Sequence, residues 1–102
     1  MAQIGRSSAE CRIGFVGTGG VAARHAHILR GFSDVRLIAG TDVDPTRAKA
    51  FAAAHDLVAV PDVEALLAAD LDAVYVCVPP FAHGPLEDVL LAAGLPLFIE
   101  KP

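Results

Sequence analysis

The residues best suited to chemistry form a glycine-rich turn, Gly17-Thr18-Gly19-Gly20-Val21-Ala22, between an apolar run and a helical pattern. The spacing fits the G-x-G-x-x-G/A pattern of turns that bind the diphosphate of a dinucleotide. Gly17 would make the tight turn, Gly19 would let the diphosphate approach the backbone, and Ala22 would let the helix lie close to the strand. The first turn of that helix would direct its unpaired N–H groups and positive dipole end at the phosphates.

An acidic residue follows at the spacing that this interpretation requires. Asp42 ends the second apolar run, about 20 residues after Ala22, where a carboxylate can accept both hydroxyls of the adenosine ribose. Glycine spacing alone would also fit a plain strand-to-helix loop, and Asp42 argues against that alternative. Val43 stands where an NADP enzyme often has arginine, so the sequence favours NAD, while Arg47 keeps NADP possible.

Composition limits the remaining possibilities. The chain has 102 residues, of which 54% are hydrophobic, enough for one domain with a modest core. A net charge of −4 without a basic run argues against nucleic acid, and no apolar stretch approaches the ~20 residues of a membrane span. We interpret residues 1–11 as a flexible leader and residues 12–102 as the domain. Cys11 and Cys77 are expected to be buried thiols rather than a bridge, which fits the cytoplasm.

Apolar runs and helical patterns alternate along the domain. The predicted strands are 13–16, 35–39, 57–60, 73–78 and Leu97–Ile99, and the predicted helices begin at Gly20, Asp44-Pro45, Pro61-Asp62 and Gly84-Pro85. This alternation predicts an α/β fold, a doubly wound parallel sheet of strand order 3-2-1-4-5 with helices on both faces. Asp44 and Asp62 would cap their helices. The residues expected to face the sheet include Ala22, Ala26, Leu29, Phe32, Ala48, Phe51, Ala52, Leu66, Leu67, Leu86, Val89 and Leu90.

The parallel arrangement would collect the candidate functional groups at one edge of the sheet. Each group follows the carboxyl end of a predicted strand: Gly17 to Val21, Asp42, the segment 78–83, and Glu100-Lys101. Ligands of open parallel sheets bind outside the carboxyl ends of the strands. The sequence therefore predicts a single site there, without a metal ion.

Four motifs in this order resemble the nucleotide-binding domain of the Gfo/Idh/MocA oxidoreductases from Arg12 onward. They are Ile-Gly-Phe-Val-Gly-Thr-Gly-Gly at 13–20, Gly-Thr-Asp-Val-Asp-Pro at 40–45, Pro-Pro-Phe-Ala-His at 79–83 and Glu-Lys-Pro at 100–102. The resemblance implies a Rossmann-like domain of an NAD(P)-dependent dehydrogenase. Such an enzyme would transfer hydride between the nicotinamide and a carbinol of a sugar or polyol.

The resemblance also implies roles for individual residues. Lys101 would be catalytic, bonding the substrate oxygen and moving a proton, provided that its pKa falls from about 10.4 toward neutrality. Glu100 would position Lys101 and the ribose. Val78, Pro79, Pro80 and His83 would lie near the nicotinamide half. Val78 stands where many members have Thr or Ser, and His83 fits equally well a helix-start residue that bonds the backbone.

Members of the family continue into a second, α+β domain that supplies the substrate pocket, further catalytic groups and the oligomer interface. The resemblance therefore implies that 102 residues are catalytically incomplete alone, and that the full-length protein is a homo-oligomer. Two alternatives stay open: an NAD-dependent glycoside hydrolase of the same fold, and a non-catalytic dinucleotide-sensing or scaffold domain.

Overall fold

Five strands and four helices alternate along the described part of the chain. A computed structural model describes residues 10–78 and 83–99, and for 83–87 it describes the backbone alone. The strands are β1 (Cys11–Val16), β2 (Val35–Thr41), β3 (Val58–Ala59), β4 (Ala73–Val76) and β5 (Leu97–Ile99). The helices are α1 (Gly20–Leu29), α2 (Pro45–His55), α3 (Val63–Leu67) and α4 (His83–Ala92). β1 thus begins at Cys11, within the segment predicted as a leader.

The strands form one parallel sheet in the order β3-β2-β1-β4-β5, which confirms the predicted topology. β1 lies at the centre and pairs with β2 on one side and with β4 on the other. The chain therefore moves away from β1 in one direction through β2 and β3, and in the other through β4 and β5. This reversal opens a crevice at the carboxyl ends of β1 and β4, the place where doubly wound sheets bind ligands.

Apolar side chains cover both faces of the sheet. On one face Phe15 packs edge-on against Phe51 of α2, with ring centroids 5.2 Å apart, and fully buried Ala22 and Ala26 let α1 lie close to the strands. On the other face Leu66 and Leu90 pack with the inner side chains of β4. These small and large side chains fix both layers of helices against the central strands.

Two of the helices begin as their sequences predict. The Asp44 carboxylate accepts hydrogen bonds from the amides of Thr46 at 3.0 Å and Arg47 at 3.3 Å, and Pro45 occupies the first helical position. The Asp62 carboxylate accepts one from the amide of Ala65 at 2.8 Å. Both aspartates are therefore N-caps, each expected to contribute about 1 kcal/mol to stability.

Some predicted positions are wrong. Phe32 is 54% exposed because α1 ends at Leu29, so the helical periodicity does not extend to it. Val89 is 49% exposed, whereas its neighbour Leu90 is fully buried, so among the described side chains of α4 it is Leu90 that lies in the core. β4 ends at Val76, before Val78, and β3 has only two residues. Cys11 and Cys77 are half-buried thiols. No helix in the described part of the chain is long and apolar enough to cross a membrane.

Candidate functional site

The turn after β1 is built around Gly17, which only glycine suits. Its φ is +90°, and a Cβ placed there would lie 2.5 Å from the carbonyl oxygen of Cys77. The Gly17 amide donates to the Thr41 carbonyl at 2.9 Å, which holds the turn against the end of β2. The turn therefore lies between the carboxyl ends of β2 and β4.

The start of α1 is open, in contrast to the starts of α2 and α3. Its N-cap is Gly19, which offers no capping side chain, and the first turn carries no acidic residue. A Cβ added at Gly19 or at Gly20 would meet no heavy atom of the described residues within 4 Å. The Ala23 amide bonds the Gly19 carbonyl at 3.0 Å, so the amides that precede it have no helical acceptor. Space and donors for an anion thus coincide at this helix end.

Asp42 joins the end of β2 to the glycine turn. Its Oδ2 accepts hydrogen bonds from the Thr18 amide at 2.8 Å and from the Thr18 hydroxyl at 3.0 Å. Its Oδ1 accepts one from the Asp44 amide at 2.9 Å and lies 3.3 Å from Nη2 of Arg47. The predicted ribose ligand and the predicted phosphate turn are therefore in direct contact.

These contacts keep the Asp42 carboxylate ionised. Partial burial acts to raise its pKa, but the hydrogen bonds from Asp44 and Thr18 and the charge of Arg47 together outweigh it and lower the pKa. An ionised carboxylate accepts hydrogen bonds only, which suits the two hydroxyls of a ribose. The crevice therefore combines donors for a diphosphate with an acceptor for a sugar diol.

Val78 lies beside the turn on the β4 side. Its Cγ1 would be 2.8 Å from a Cβ at Gly17, and the neighbouring Cys77 amide donates to the Val16 carbonyl at 2.8 Å. The structure thus brings Gly17 to Val21, Asp42 and Val78 to one edge of the sheet. The remaining candidates, Pro79, Pro80, Glu100, Lys101 and the side chain of His83, lie outside the described residues, and their roles stay predictions. The described residues contain no cluster of His, Cys, Asp and Glu suited to a metal ion.

Sequence reasoning missed the clasp between Thr18 and Asp42. The amide and the hydroxyl of Thr18 both donate to Asp42, which the sequence does not predict. The role of Thr18 as a cofactor contact stays a prediction. The ion pair between Asp42 and Arg47 was missed as well, although the spacing held a signal for it. Arg47 follows the N-cap Asp44 by three residues, so its side chain lies in the first turn of α2, close to Asp42.

Three features define a dinucleotide-binding Rossmann domain. The strand order changes direction at β1, the glycine turn leaves the start of α1 uncapped, and an acid follows the end of β2. The chain belongs to the GFO_IDH_MocA family, described as an oxidoreductase family with an NAD-binding Rossmann fold, whose pattern matches residues 11–102. The chain is therefore an NAD-binding domain of that family, as the four motifs predict.

Three known proteins illustrate the relationship. Inositol 2-dehydrogenase of Rhizobium meliloti (strain 1021) is 38% identical over 93 residues, which cover 89% of this chain and 28% of the relative. The structure of GenD2 from gentamicin A biosynthesis, in complex with NAD, is 26% identical with a TM-score of 0.87, over 91% of this chain and 27% of that one. The structure of biliverdin reductase from Synechocystis sp. PCC 6803, in complex with biliverdin and NADP+, is 27% identical with a TM-score of 0.81, over 89% of this chain and 29% of that one.

The chain thus spans less than a third of the length of these relatives, 28% in the inositol 2-dehydrogenase. The matched part is the nucleotide-binding domain. Of these two similar structures, that of GenD2 contains NAD and that of biliverdin reductase contains NADP+.

Proposed function

We propose that this chain is the nucleotide-binding part of an NAD(P)-dependent dehydrogenase that transfers hydride between the nicotinamide and a carbinol of a sugar or polyol. The observation that carries the proposal is the contact between Thr18, which directly precedes the open start of α1, and the ionised Asp42 carboxylate. The family is one of oxidoreductases, and a relative of 38% identity is an inositol 2-dehydrogenase. A polyol is therefore the substrate class that these comparisons favour.

Within this proposal, the described residues would bind the adenosine diphosphate half. The amides of Gly19, Gly20 and Val21 would donate to the diphosphate, aided by the dipole of α1. Asp42 would accept the ribose hydroxyls, while Thr18 holds the carboxylate and the turn together. Because these groups are already arranged by the sheet and the turn, little ordering would be needed on binding.

The chemical step is assigned through the family motifs. A bound nicotinamide supplies the hydride acceptor or donor. Lys101 would hydrogen-bond the carbinol oxygen and take its proton as hydride leaves the carbon, with Glu100 positioning the lysine. Pro79, Pro80, His83 and Val78 would lie along the nicotinamide half.

The proposal includes a division of labour between this domain and the remainder of a longer enzyme. Catalysis requires that the reacting groups be held within fractions of an ångström, and the substrate pocket is expected in the second domain. We therefore expect the chain to bind the dinucleotide and to show no dehydrogenase turnover by itself.

A titration of the chain with NADH, followed by nicotinamide fluorescence, tests the binding. We expect saturable binding that Asp42→Ala weakens about tenfold or more, since a charged hydrogen-bond acceptor is lost. A folded chain that binds no NADH at millimolar concentration would refute the proposal. For the longer enzyme, NADH formation with polyols tests the reaction. Release of sugar without net formation of NADH would instead indicate a glycoside hydrolase. Binding of the cofactor by the longer protein without any catalytic turnover would indicate a sensing or scaffold domain.

A further inference from the structure

A cleft of about 530 Å³ lies beside β2, toward the end of this strand that is remote from the glycine turn. β3 pairs only with Ala39 and Gly40, so in the described part of the chain the preceding residues of β2, 35–38, have no strand on this side. These residues form one wall of the cleft, and the segment that leads from α2 into β3, residues 55–58, forms another. The cleft therefore exists because β3 is short.

The cleft is separate from the proposed dinucleotide site. None of the described residues assigned to that site lines it. β2 begins at Val35, in the cleft, and ends at Thr41, whose carbonyl accepts a hydrogen bond from the glycine turn. A strand rises about 3.3 Å per residue, so the start of β2 lies about 20 Å from its end. A small molecule at the start of β2 would therefore lie clear of a diphosphate at the glycine turn.

Positive charge is concentrated around the cleft. Its lining contains Arg12, Arg30 and Arg36, half of the six arginines in the sequence, and a single acid, Asp56. Three arginines and one aspartate give the lining a formal charge of +2, whereas the whole chain carries −4. Cations on the walls of a cleft attract anions more strongly than the same cations spread over an open surface.

Backbone carbonyls position two of these guanidinium groups without neutralising them. Nη1 of Arg30 donates to the Ala54 carbonyl at 3.1 Å, in the last turn of α2. Nε of Arg12 donates to the Asp70 carbonyl at 2.6 Å, and its Nη2 donates to the Ala69 carbonyl at 3.3 Å. A guanidinium has five N–H donors, so both side chains keep donors and a full positive charge.

Two further side chains of the lining have hydrogen-bonding capacity left. Nη1 of Arg36 lies 3.7 Å from Oε2 of Glu10, and this ion pair is weak because the arginine side chain is 63% exposed. The His55 ring packs against Phe51 with centroids 4.8 Å apart, and its Nδ1 is buried without a hydrogen-bond partner among the described residues. Buried polar atoms are nearly always paired, so an unpaired nitrogen in the wall of a cleft points to a ligand.

We propose that this cleft is a second binding site, which takes a small organic anion with two or more carboxylate or phosphate groups. Groups of both kinds pair with a guanidinium through parallel hydrogen bonds. Arg30 and Arg36 offer one such contact each, and a cleft of about 530 Å³ has the size of a small-molecule site. Binding there requires no dinucleotide, so the inference is independent of the proposed function.

A titration followed by NMR of the backbone amides tests the site, with citrate as the carboxylate probe and fructose 1,6-bisphosphate as the phosphate probe. We expect at least one probe to shift the amides of residues 35–38 and 55–58 saturably, with a Kd of about 1 mM or below. Sodium chloride at equal ionic strength should not do so, because it only screens charge. The probe with the lower Kd identifies the acidic group that the cleft prefers.

Two variants with the same loss of charge show whether the lining is responsible. Arg36→Gln should weaken the bound probe about fivefold or more, since a charged hydrogen-bond donor is lost. Arg24→Gln removes a charge from an exposed position of α1 that does not line the cleft, so it should change the Kd by less than about twofold.

The inference is overturned if neither probe shifts these amides in the folded chain, or if Arg24→Gln weakens binding as much as Arg36→Gln. Shifts confined to the amides of residues 17–21 would also overturn it, because they would locate the anion at the glycine turn. These results would leave the proposed function standing, since that function depends on NADH. A folded chain that binds a probe in the cleft but no NADH would instead refute the proposed function and support the second site.

Discussion

Gly17 and Gly19 lie two residues apart in the same turn, yet alanine at Gly17 is expected to lower stability, whereas alanine at Gly19 is expected to lower cofactor affinity. At Gly17 the backbone has a φ of +90°, and the new Cβ would lie 2.5 Å from the Cys77 carbonyl oxygen. The left-handed conformation costs an L residue about 1–2 kcal/mol, and overpacking adds about 1–3 kcal/mol. Gly17→Ala should therefore lower the free energy of unfolding by about 3 kcal/mol.

At Gly19 the same change meets open space. Its φ of −83° and ψ of −159° suit alanine, and the added Cβ has no described heavy atom within 4 Å. The unfolding free energy should stay within about 1 kcal/mol of wild type, because the poorer N-cap preference of alanine and its restriction of the unfolded chain act in opposite directions. That open space is where the diphosphate would lie, so NADH binding should weaken about tenfold or more.

Thermal unfolding and NADH titration of the two variants, side by side, separate these effects. A loss of about 3 kcal/mol corresponds to a Tm lower by more than about 10 °C in a domain of this size. Gly19→Ala should keep Tm within about 8 °C of wild type and lose affinity. The reasoning is refuted if Gly19→Ala binds NADH as tightly as wild type, or if Gly17→Ala unfolds at the wild-type temperature.

Three further outcomes follow from the same contacts. Thr18→Val keeps the hydrogen bond from the backbone amide to Asp42 but removes the one from the hydroxyl. The free energy of unfolding, measured with denaturant, and the free energy of NADH binding, measured by titration, should each weaken by about 1 kcal/mol. The pKa of Asp42 is lower in the folded state than in the unfolded state. Its contribution to stability is therefore complete above the unfolded pKa of about 3.9 and is lost as the pH falls through the folded pKa. Asp42→Asn should remove this loss, so its unfolding free energy should change less with pH in the acid range. Burial, followed by the charges of Arg30 and His27, lowers the pKa of His55 in the folded state. The free energy of unfolding should therefore decrease as the pH falls from the usual histidine pKa near 6.5 toward the lower folded pKa. His55→Gln should remove this decrease, measured by denaturant unfolding between about pH 7 and about pH 5.

The alternation of strands and helices along the domain was sufficient for the order of the strands, and local signals were sufficient for the caps of α2 and α3. Such signals involve only a few neighbouring residues and can be recognised without knowledge of the fold. Examples are the proline at the first helical position after Asp44 and the apolar runs that end in glycine or an acidic residue. Phe32 and Val89 were predicted wrongly because the end of α1 and the rotation of α4 depend on tertiary packing. The clasp between Thr18 and Asp42 joins two strands, so it too needed the structure.

That clasp depends on the alignment of β1 with β2, which contains an irregularity. Ile13 pairs with Leu37, whereas the next residue, Gly14, pairs with Ala39, so β2 carries one extra residue, Ile38. From there onward the pairing is displaced by one, and Val16 meets Thr41. Without the extra residue Val16 would pair with Gly40 instead of Thr41, and Asp42 would lie one residue further past the end of β1.

The side-chain period of a strand is two residues, so a displacement by one exchanges the faces of the sheet. The irregularity at Ile38 therefore sets the level at which Asp42 follows β2, where its carboxylate accepts from the Thr18 amide. Bulges often lie near functional sites, where they redirect a side chain. The glycine turn and the acid are recognisable as separate motifs, but their contact arises from the pairing of two central strands. The geometry of this site is for that reason a property of the sheet as much as of the motifs.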